Sequence, residues 1–203
     1  MTFIKFCGMT REDDVAAAIR VGANAVGFVL WPGSPRHVEI GRAKALIDGL
    51  SPEITPVGVF VQPSRDEIAR AIEHAGIRVA QVHGAADTSL ARDLRCDLWF
   101  AASLDGDGIA PPVAEAYTIL LDTPDPNRHG GTGRTIDWQR AARVAAKRPV
   151  LLAGGLTPAN VTAAVREVRP YGVDVASGIE TSPGVKDAQA MQAFVAAVRE
   201  ADP

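Results

Sequence analysis

Eight short apolar runs are spread over the 203 residues: Phe3 to Cys7, Ala25 to Trp31, Pro56 to Val61, Val79 to His83, Leu98 to Ala102, Thr118 to Asp122, Val150 to Ala153 and Gly172 to Ala176. Several are nearly continuous in Val, Ile, Leu, Phe and Ala, the pattern of strands covered on both faces. The segments between them carry helix signals. Met191, Phe194, Val195 and Val198 share one face at helical spacing. Thr10 with Asp13 and Ser64 with Glu67 place a hydroxyl and a carboxylate three residues apart, as N-terminal caps do, and Gly22 and Gly76 stand where those helices should stop. Thr157 before Pro158 predicts a further helix start. Asp105 to Ala116 holds two glycines and two prolines, so its helix must be short or irregular. Strand alternating with helix implies right-handed βαβ units on a parallel sheet. Eight such units predict an α/β chain folded as a compact single-domain (β/α)8 barrel over residues 1–203, somewhat under the roughly 250 residues typical of that architecture. The competing layout is a doubly wound open sheet.

Twenty-one Lys and Arg against 24 Asp and Glu give a formal net charge of −3, with the signs interspersed. No cationic surplus is present to hold a nucleic-acid backbone. The apolar runs are too short for a membrane span, and the amino terminus has no signal pattern, so a cytoplasmic protein without membrane or nucleic-acid partners is expected. Cys7 and Cys96 are too few for a disulfide framework.

Barrel enzymes gather their reactive groups at the carboxyl ends of the strands. The residues closing the eight runs are Cys7 and Gly8; Trp31 to Arg36; Val61 and Gln62; Gln81, His83 and Gly84; Ser103; Asp122 and Thr123; Gly154 and Gly155; and Ser177 and Gly178. No P-loop, dinucleotide fingerprint, serine elbow or His-Glu-x-x-His motif is present. Gly154 and Gly155, with Ser177 and Gly178, follow the last two runs, where bare amides and helix starts attract an anion. That placement favours phosphate over plain turns.

The successive segments Ile4-Lys5-Phe6-Cys7-Gly8-Met9-Thr10, Gly27-Phe28-Val29 leading to Ser34-Pro35-Arg36, Val57-Gly58-Val59-Phe60, Gln81-Val82-His83-Gly84, Leu120-Leu121-Asp122-Thr123, Gly130-Gly131-Thr132-Gly133, Ala153-Gly154-Gly155-Leu156 and Val173 to Glu180 resemble, in order and from first strand to last, the motifs of the phosphoribosylanthranilate isomerases. The resemblance implies the tryptophan-pathway isomerisation of N-(5′-phosphoribosyl)anthranilate, a small phosphoribosyl substrate, with no metal and no organic cofactor. It also implies Cys7 as general base and Asp122 as general acid. An Amadori rearrangement requires such a pair: an acid to protonate the furanose oxygen and a base to remove the C2′ proton. Cys7 would then need a lowered pKa, and Lys5 points to the same face by pleat. Asp122 would need a raised one. Asp125, Asp137 and Asp174 are rival acids, in a Pro-rich loop, at a helix start and inside the last strand.

Arg36 can grip the anthranilate carboxylate with a bidentate fork or stand as a solvated loop residue. Gln81 and His83 share a strand face and are candidate substrate-binding wall residues, a structural role for His83 being the alternative. Asn127 to Gly133 reads as a mobile cover for the site. His37, His74 and His129 have no metal-ligand spacing, and Cys96 beside Asp97 reads as packing. Against the family pattern, Trp31 replaces a smaller aromatic, Gly33 a basic residue and Ala80 a leucine. Rival functions are another phosphosugar barrel enzyme, such as a lyase or epimerase, or a non-catalytic phosphometabolite-binding barrel. Monomer and homodimer both suit the chain.

Overall fold

The computed structural model describes residues 1–84, 86–91, 94–106, 108–123 and 136–202. All eight runs are strands: β1 (Phe3–Cys7), β2 (Ala25–Val29), β3 (Thr55–Val61), β4 (Val79–His83), β5 (Asp97–Asp105), β7 (Thr118–Leu121), β8 (Val150–Leu152) and β9 (Gly172–Val175). They pair in parallel in chain order, and β1 pairs with β9, with Lys5 opposite Asp174, to close an eight-stranded barrel. Ends differ from expectation by up to three residues, the widest gap being β5, which runs on to Asp105.

The side-chain alternation sorts the core into layers. Ile4 and Phe6 face outward, and Phe6 meets Phe194 edge-on with centroids 6.1 Å apart. Phe194 belongs to α6 (Ala188–Ala201), which buries Met191, Phe194 and Val198, the apolar face expected of that helix. Inside the barrel, Ala25, Val57, Val79, Trp99, Leu120 and Leu151 form one cluster and Cys7, Val29 and Val59 another. Two-sided burial explains why the strands read as unbroken apolar runs.

The connections are less regular than the strands. The helices α1 (Glu12–Arg20), α2 (Ile40–Ile47), α3 (Arg65–Ala75), α4 (Trp138–Ala145) and α5 (Val161–Val168) join α6 around the sheet. Ser64 and Glu67 form the full capping box of α3, which ends at Gly76 with φ 75°. Asp137 caps α4 by accepting from Arg140 N at 3.0 Å. Two expected caps are corrected. Thr10 Oγ1 donates instead to Gly184 O at 2.5 Å, and α1 begins after Arg11 without a side-chain cap. The α-helix near Pro158 begins at Val161, because Asn160 Oδ1 turns back to accept from Thr157 N at 2.8 Å.

Among the described residues two units lack an α-helix. The β4–β5 connection holds only a 3₁₀ turn at Thr88–Ala91. After β5 the chain folds back as β6 (Gly108–Ala110), an antiparallel hairpin, where an irregular helix was expected. Glycine and consecutive prolines leave too few donors and too much freedom for a helix there. Beyond β9, β10 (Glu180–Ser182) and β11 (Val185–Lys186) make a small antiparallel ribbon.

Candidate active site

Cys7 and Asp122 stand at the carboxyl ends of β1 and β7, and a buried ion pair acts on both. Lys5, fully buried on β1, donates to Asp174 on β9 at 2.7 Å. Gly27 on β2 makes room for this group: a Cβ there would lie 2.9 Å from Cys7 Sγ and 3.2 Å from Lys5 Nζ. Burial raises the Asp122 carboxyl to about 6, with the Asp174 charge adding to the rise and the Thr123 amide and Lys5 opposing it. That matches the requirement for an acid. The expectation for Cys7 is corrected: burial pushes the thiol up, and Lys5 and Lys186 oppose that rise without cancelling it. Asp174, a rival acid by sequence, is committed to Lys5. Asp137 caps α4, and Asp125 lies outside the described residues, as does Asn127 to Gly133.

Arg36 does not stand as a solvated loop residue. Its Nε and Nη2 donate to Glu180 at 2.9 and 2.7 Å, and its side chain lies across Gly8. Gly8 holds φ 79°, and a Cβ there would come 2.6 Å from Arg36 Cδ, so this position needs glycine on both counts. Glu180 is also held by Lys186, whose ammonium donates to Glu180 Oε1 at 2.7 Å, to Cys7 O at 2.5 Å and to Ala176 O at 3.2 Å. Beside this loop, Gly33 and Trp31 fit each other. A Cβ at Gly33 would lie 2.3 Å from the Trp31 ring, so the missing side chain is the space that the larger indole occupies.

Gln81 and His83 are buried on one face of β4, with Gln81 Nε2 2.8 Å from His83 Nε2. Gln81 Oε1 is buried with no hydrogen-bond partner among the described residues, an orphan acceptor lining the barrel. Such an atom marks a place where a ligand donor would be favoured.

At the ends of β8 and β9 the expected glycine pairs come together. Gly178, in the 3₁₀ turn Ser177–Ile179, packs so tightly that a Cβ would sit 1.9 Å from Leu156 O, while Gly154 lies over Asp122 and Thr123. The N–H groups of Gly154 and Gly155 donate no hydrogen bond among the described residues. Gly178→Ala is therefore expected to spread the two loops and raise the KM of a phosphorylated substrate at least tenfold, measured by initial rates at varied substrate. An unchanged KM would remove these loops from substrate binding.

Reading strand ends from sequence reached Cys7, Asp122, Gln81, His83 and the four loop residues as candidates, placed Lys5 on the Cys7 face and weighed Asp174 as a rival acid without pairing the two, and gave no role to Glu180 or Lys186. A charged residue inside an apolar run was the available signal for Lys5 and Asp174. Glu180 and Lys186 follow the last strand, and only the ribbon β10–β11 brings them back over Cys7.

Comparison with known proteins bears on what this arrangement does. The family model N-(5′-phosphoribosyl)anthranilate isomerase matches residues 4–197. The N-(5′-phosphoribosyl)anthranilate isomerase of Leptothrix cholodnii is 42% identical over 209 residues, covering 99% of this chain and 92% of the relative. The crystal structure of phosphoribosyl anthranilate isomerase from Thermotoga maritima superposes with a TM-score of 0.88 at 31% identity, covering 98% of this chain and 100% of that one. A crystal structure of the isomerase in complex with reduced 1-(o-carboxyphenylamino)-1-deoxyribulose 5-phosphate superposes with a TM-score of 0.85 at 30% identity, covering 98% of this chain and 100% of that one. With strands, strand-end residues and full-length similarity in agreement, the chain belongs to the N-(5′-phosphoribosyl)anthranilate isomerase family.

Proposed function

We infer that this protein catalyses the Amadori rearrangement of N-(5′-phosphoribosyl)anthranilate to 1-(2-carboxyphenylamino)-1-deoxyribulose 5-phosphate, with Cys7 as base and Asp122 as acid. The observation that carries this reading is the pairing of a carboxyl raised to about 6 with a buried thiol across one shared ion pair. A carboxyl at about 6 is protonated in roughly a tenth of molecules at neutral pH, enough to protonate the furanose oxygen. The C1′–O bond then breaks and the anilino nitrogen becomes an iminium. This new cation favours the Cys7 thiolate and acidifies C2′. The thiolate, its own proton already released to solvent, removes the C2′ proton, the electron pair moves toward nitrogen, and the enolamine tautomerises to the ketone as the C2′ hydroxyl gives up its proton and C1′ gains one. Cys7 then loses and Asp122 regains a proton through solvent. No electron leaves or enters, and every proton lost is regained.

Substrate binding distributes over the mouth of the barrel. The Gly154–Gly155 and Ser177–Gly178 loops offer amides to the phosphate, Gln81 and His83 line the sugar, and Arg36 meets the aromatic carboxylate.

The test is loss of phosphoribosylanthranilate fluorescence on addition of the purified protein, repeated across pH. Because the productive form needs Asp122 protonated and Cys7 ionised, the two fractions change in opposite directions and cancel between their pKa values. kcat/KM should be flat from about pH 6 into the alkaline range, falling below about pH 6 as thiolate disappears faster than the acid gains protons. Absence of turnover would refute the activity. A rate that keeps its plateau well below pH 6 would refute the assignment of Asp122.

A further inference from the structure

The strongest unassigned feature is the closed charge cluster formed by Arg36, Glu180 and Lys186 at the rim of the site. Its hydrogen bonds can be counted donor by donor. A lysine ammonium has three N–H donors. Those of Lys186 meet three acceptors: Glu180 Oε1, Cys7 O and Ala176 O. Lys186, with its side chain fully buried, therefore has none left for a ligand. Glu180, whose side chain is 5% exposed, accepts at Oε1 from Lys186, Arg36 Nε and Gly184 N, and at Oε2 from Arg36 Nε and Nη2. It too has no remaining role toward substrate. Arg36 is different. Its Nε and one N–H of Nη2 are taken, while Nη1 makes no hydrogen bond among the described residues. One complete fork, the Nη1–Nη2 edge, remains open.

Charge agrees with geometry. Arg36, Lys186 and Glu180 sum to one positive charge, the buried Asp14 carboxylate faces Lys186 from α1, and the cation left beside the open fork is the Arg36 guanidinium, which a bound carboxylate would pair. Gly8 supplies the floor on which the Arg36 stem lies, so the guanidinium is held from below by backbone and from one edge by Glu180. Lys186 links this assembly to the carbonyl of Cys7 itself.

We propose that Glu180 and Lys186 are positioning residues that aim the open fork of Arg36 at the aromatic carboxylate of the substrate, so that the enzyme selects a ring bearing that carboxylate. The proposal rests on the reading of Arg36 as carboxylate anchor. Neither residue touches substrate: Glu180 sets the rotation of the guanidinium, and Lys186 holds Glu180 in register with the end of β1. Removing the Glu180 charge has two opposed effects. It makes the cluster more positive, which alone would strengthen anion binding, and it frees the guanidinium to rotate, which costs the bidentate geometry. A bidentate charge-assisted pair depends on alignment more than on an added charge at the rim. Alignment therefore dominates.

The experiment compares wild type, Glu180→Gln and Arg36→Met on two substrates, N-(5′-phosphoribosyl)anthranilate and N-(5′-phosphoribosyl)aniline, which lacks the carboxylate. Thermal melting confirms that each variant is folded, and Glu180→Asp serves as the conservative partner. Glu180→Gln is expected to raise KM about tenfold for the anthranilate and less than twofold for the aniline compound, with Glu180→Asp recovering part of the loss. An equal penalty on both substrates would make Glu180 a general structural residue, and a lowered KM for the anthranilate would show that charge outweighs aim; either overturns the proposal. Arg36→Met separates the two levels. If it discriminates between the substrates while Glu180→Gln does not, only the positioning role fails; if Arg36→Met penalises both equally, the carboxylate reading fails with it.

Discussion

Replacing Cys7 by alanine is expected to lower kcat about 10²–10⁴-fold, the usual contribution of a positioned general base, while leaving the fold in place. Cys7 is 7% exposed and sits among Val29, Val59 and the neighbouring Trp31 and Ala176. Losing one sulfur from such a site creates a small cavity worth about 1 kcal/mol. Lys5 keeps Asp174 as its partner, so no buried charge is stranded. Fluorescence turnover and thermal melting on the same preparation separate the two consequences. A Cys7→Ala protein that keeps full rate would remove Cys7 from the chemistry, and one that fails to melt cooperatively would make its role structural. The raised thiol adds a second readout. Alkylation of Cys7 by iodoacetamide should be slow at neutral pH and accelerate only in the alkaline range, because burial holds the group protonated in the empty enzyme.

Asp122→Asn is expected to cost a comparable 10²–10⁴-fold in kcat and, unusually, to stabilise the protein. Burial holds the Asp122 carboxyl at about 6, against an ordinary value of 3.8. As pH rises between these values the unfolded chain ionises first, so the native state holds more protons and its stability falls. Above about pH 6 the whole penalty is present, and below about pH 4 it is absent. A shift of this size corresponds to about 3 kcal/mol for a fully buried group, and the partial exposure of Asp122 reduces that to about 1–2 kcal/mol. Asparagine keeps the shape and carries no charge, so the variant should melt several degrees higher than wild type at pH 7 and no higher at pH 4. A stability gain that is the same at both pH values would mean that the carboxylate is not strained at neutral pH. A loss of activity together with a gain in stability at pH 7 would be the exchange of stability for activity seen at functional sites.

How the site was reached from sequence follows from which residues report locally. Cys7, Asp122 and His83 are each the last inward-facing residue of an apolar run, and Gln81 is the inward-facing residue before His83, so a barrel topology alone carries them toward the same mouth. Their electrostatic condition is another matter. The thiol of Cys7 needed a value below the ordinary one, with Lys5 as the nearby charge, yet burial raises it more than Lys5 lowers it, and Asp174, 169 residues away in sequence and opposite Lys5 across the β1–β9 pairing, adds to the rise. The same holds for Arg36. Its position after Pro35 suggested a free fork, and only the return of β10 shows that Glu180 takes half of it.

The helical layer divides in the same way. Ser64 with Glu67 specified its capping box because both partners lie within one turn. Thr10 lost its capping role to a carbonyl at Gly184, a competitor that no local window contains. What the sequence by itself determined was the eight two-sided strands, their order and the residues that end them, because apolar periodicity and turn chemistry act over a few residues. The tertiary structure decided which charges meet: closing the barrel puts β9 beside β1, and folding the ribbon over the rim brings Lys186 and Glu180 to Cys7 and Arg36. Coulomb energy and desolvation depend on distance in space and on burial, and both come into being only when the sheet closes.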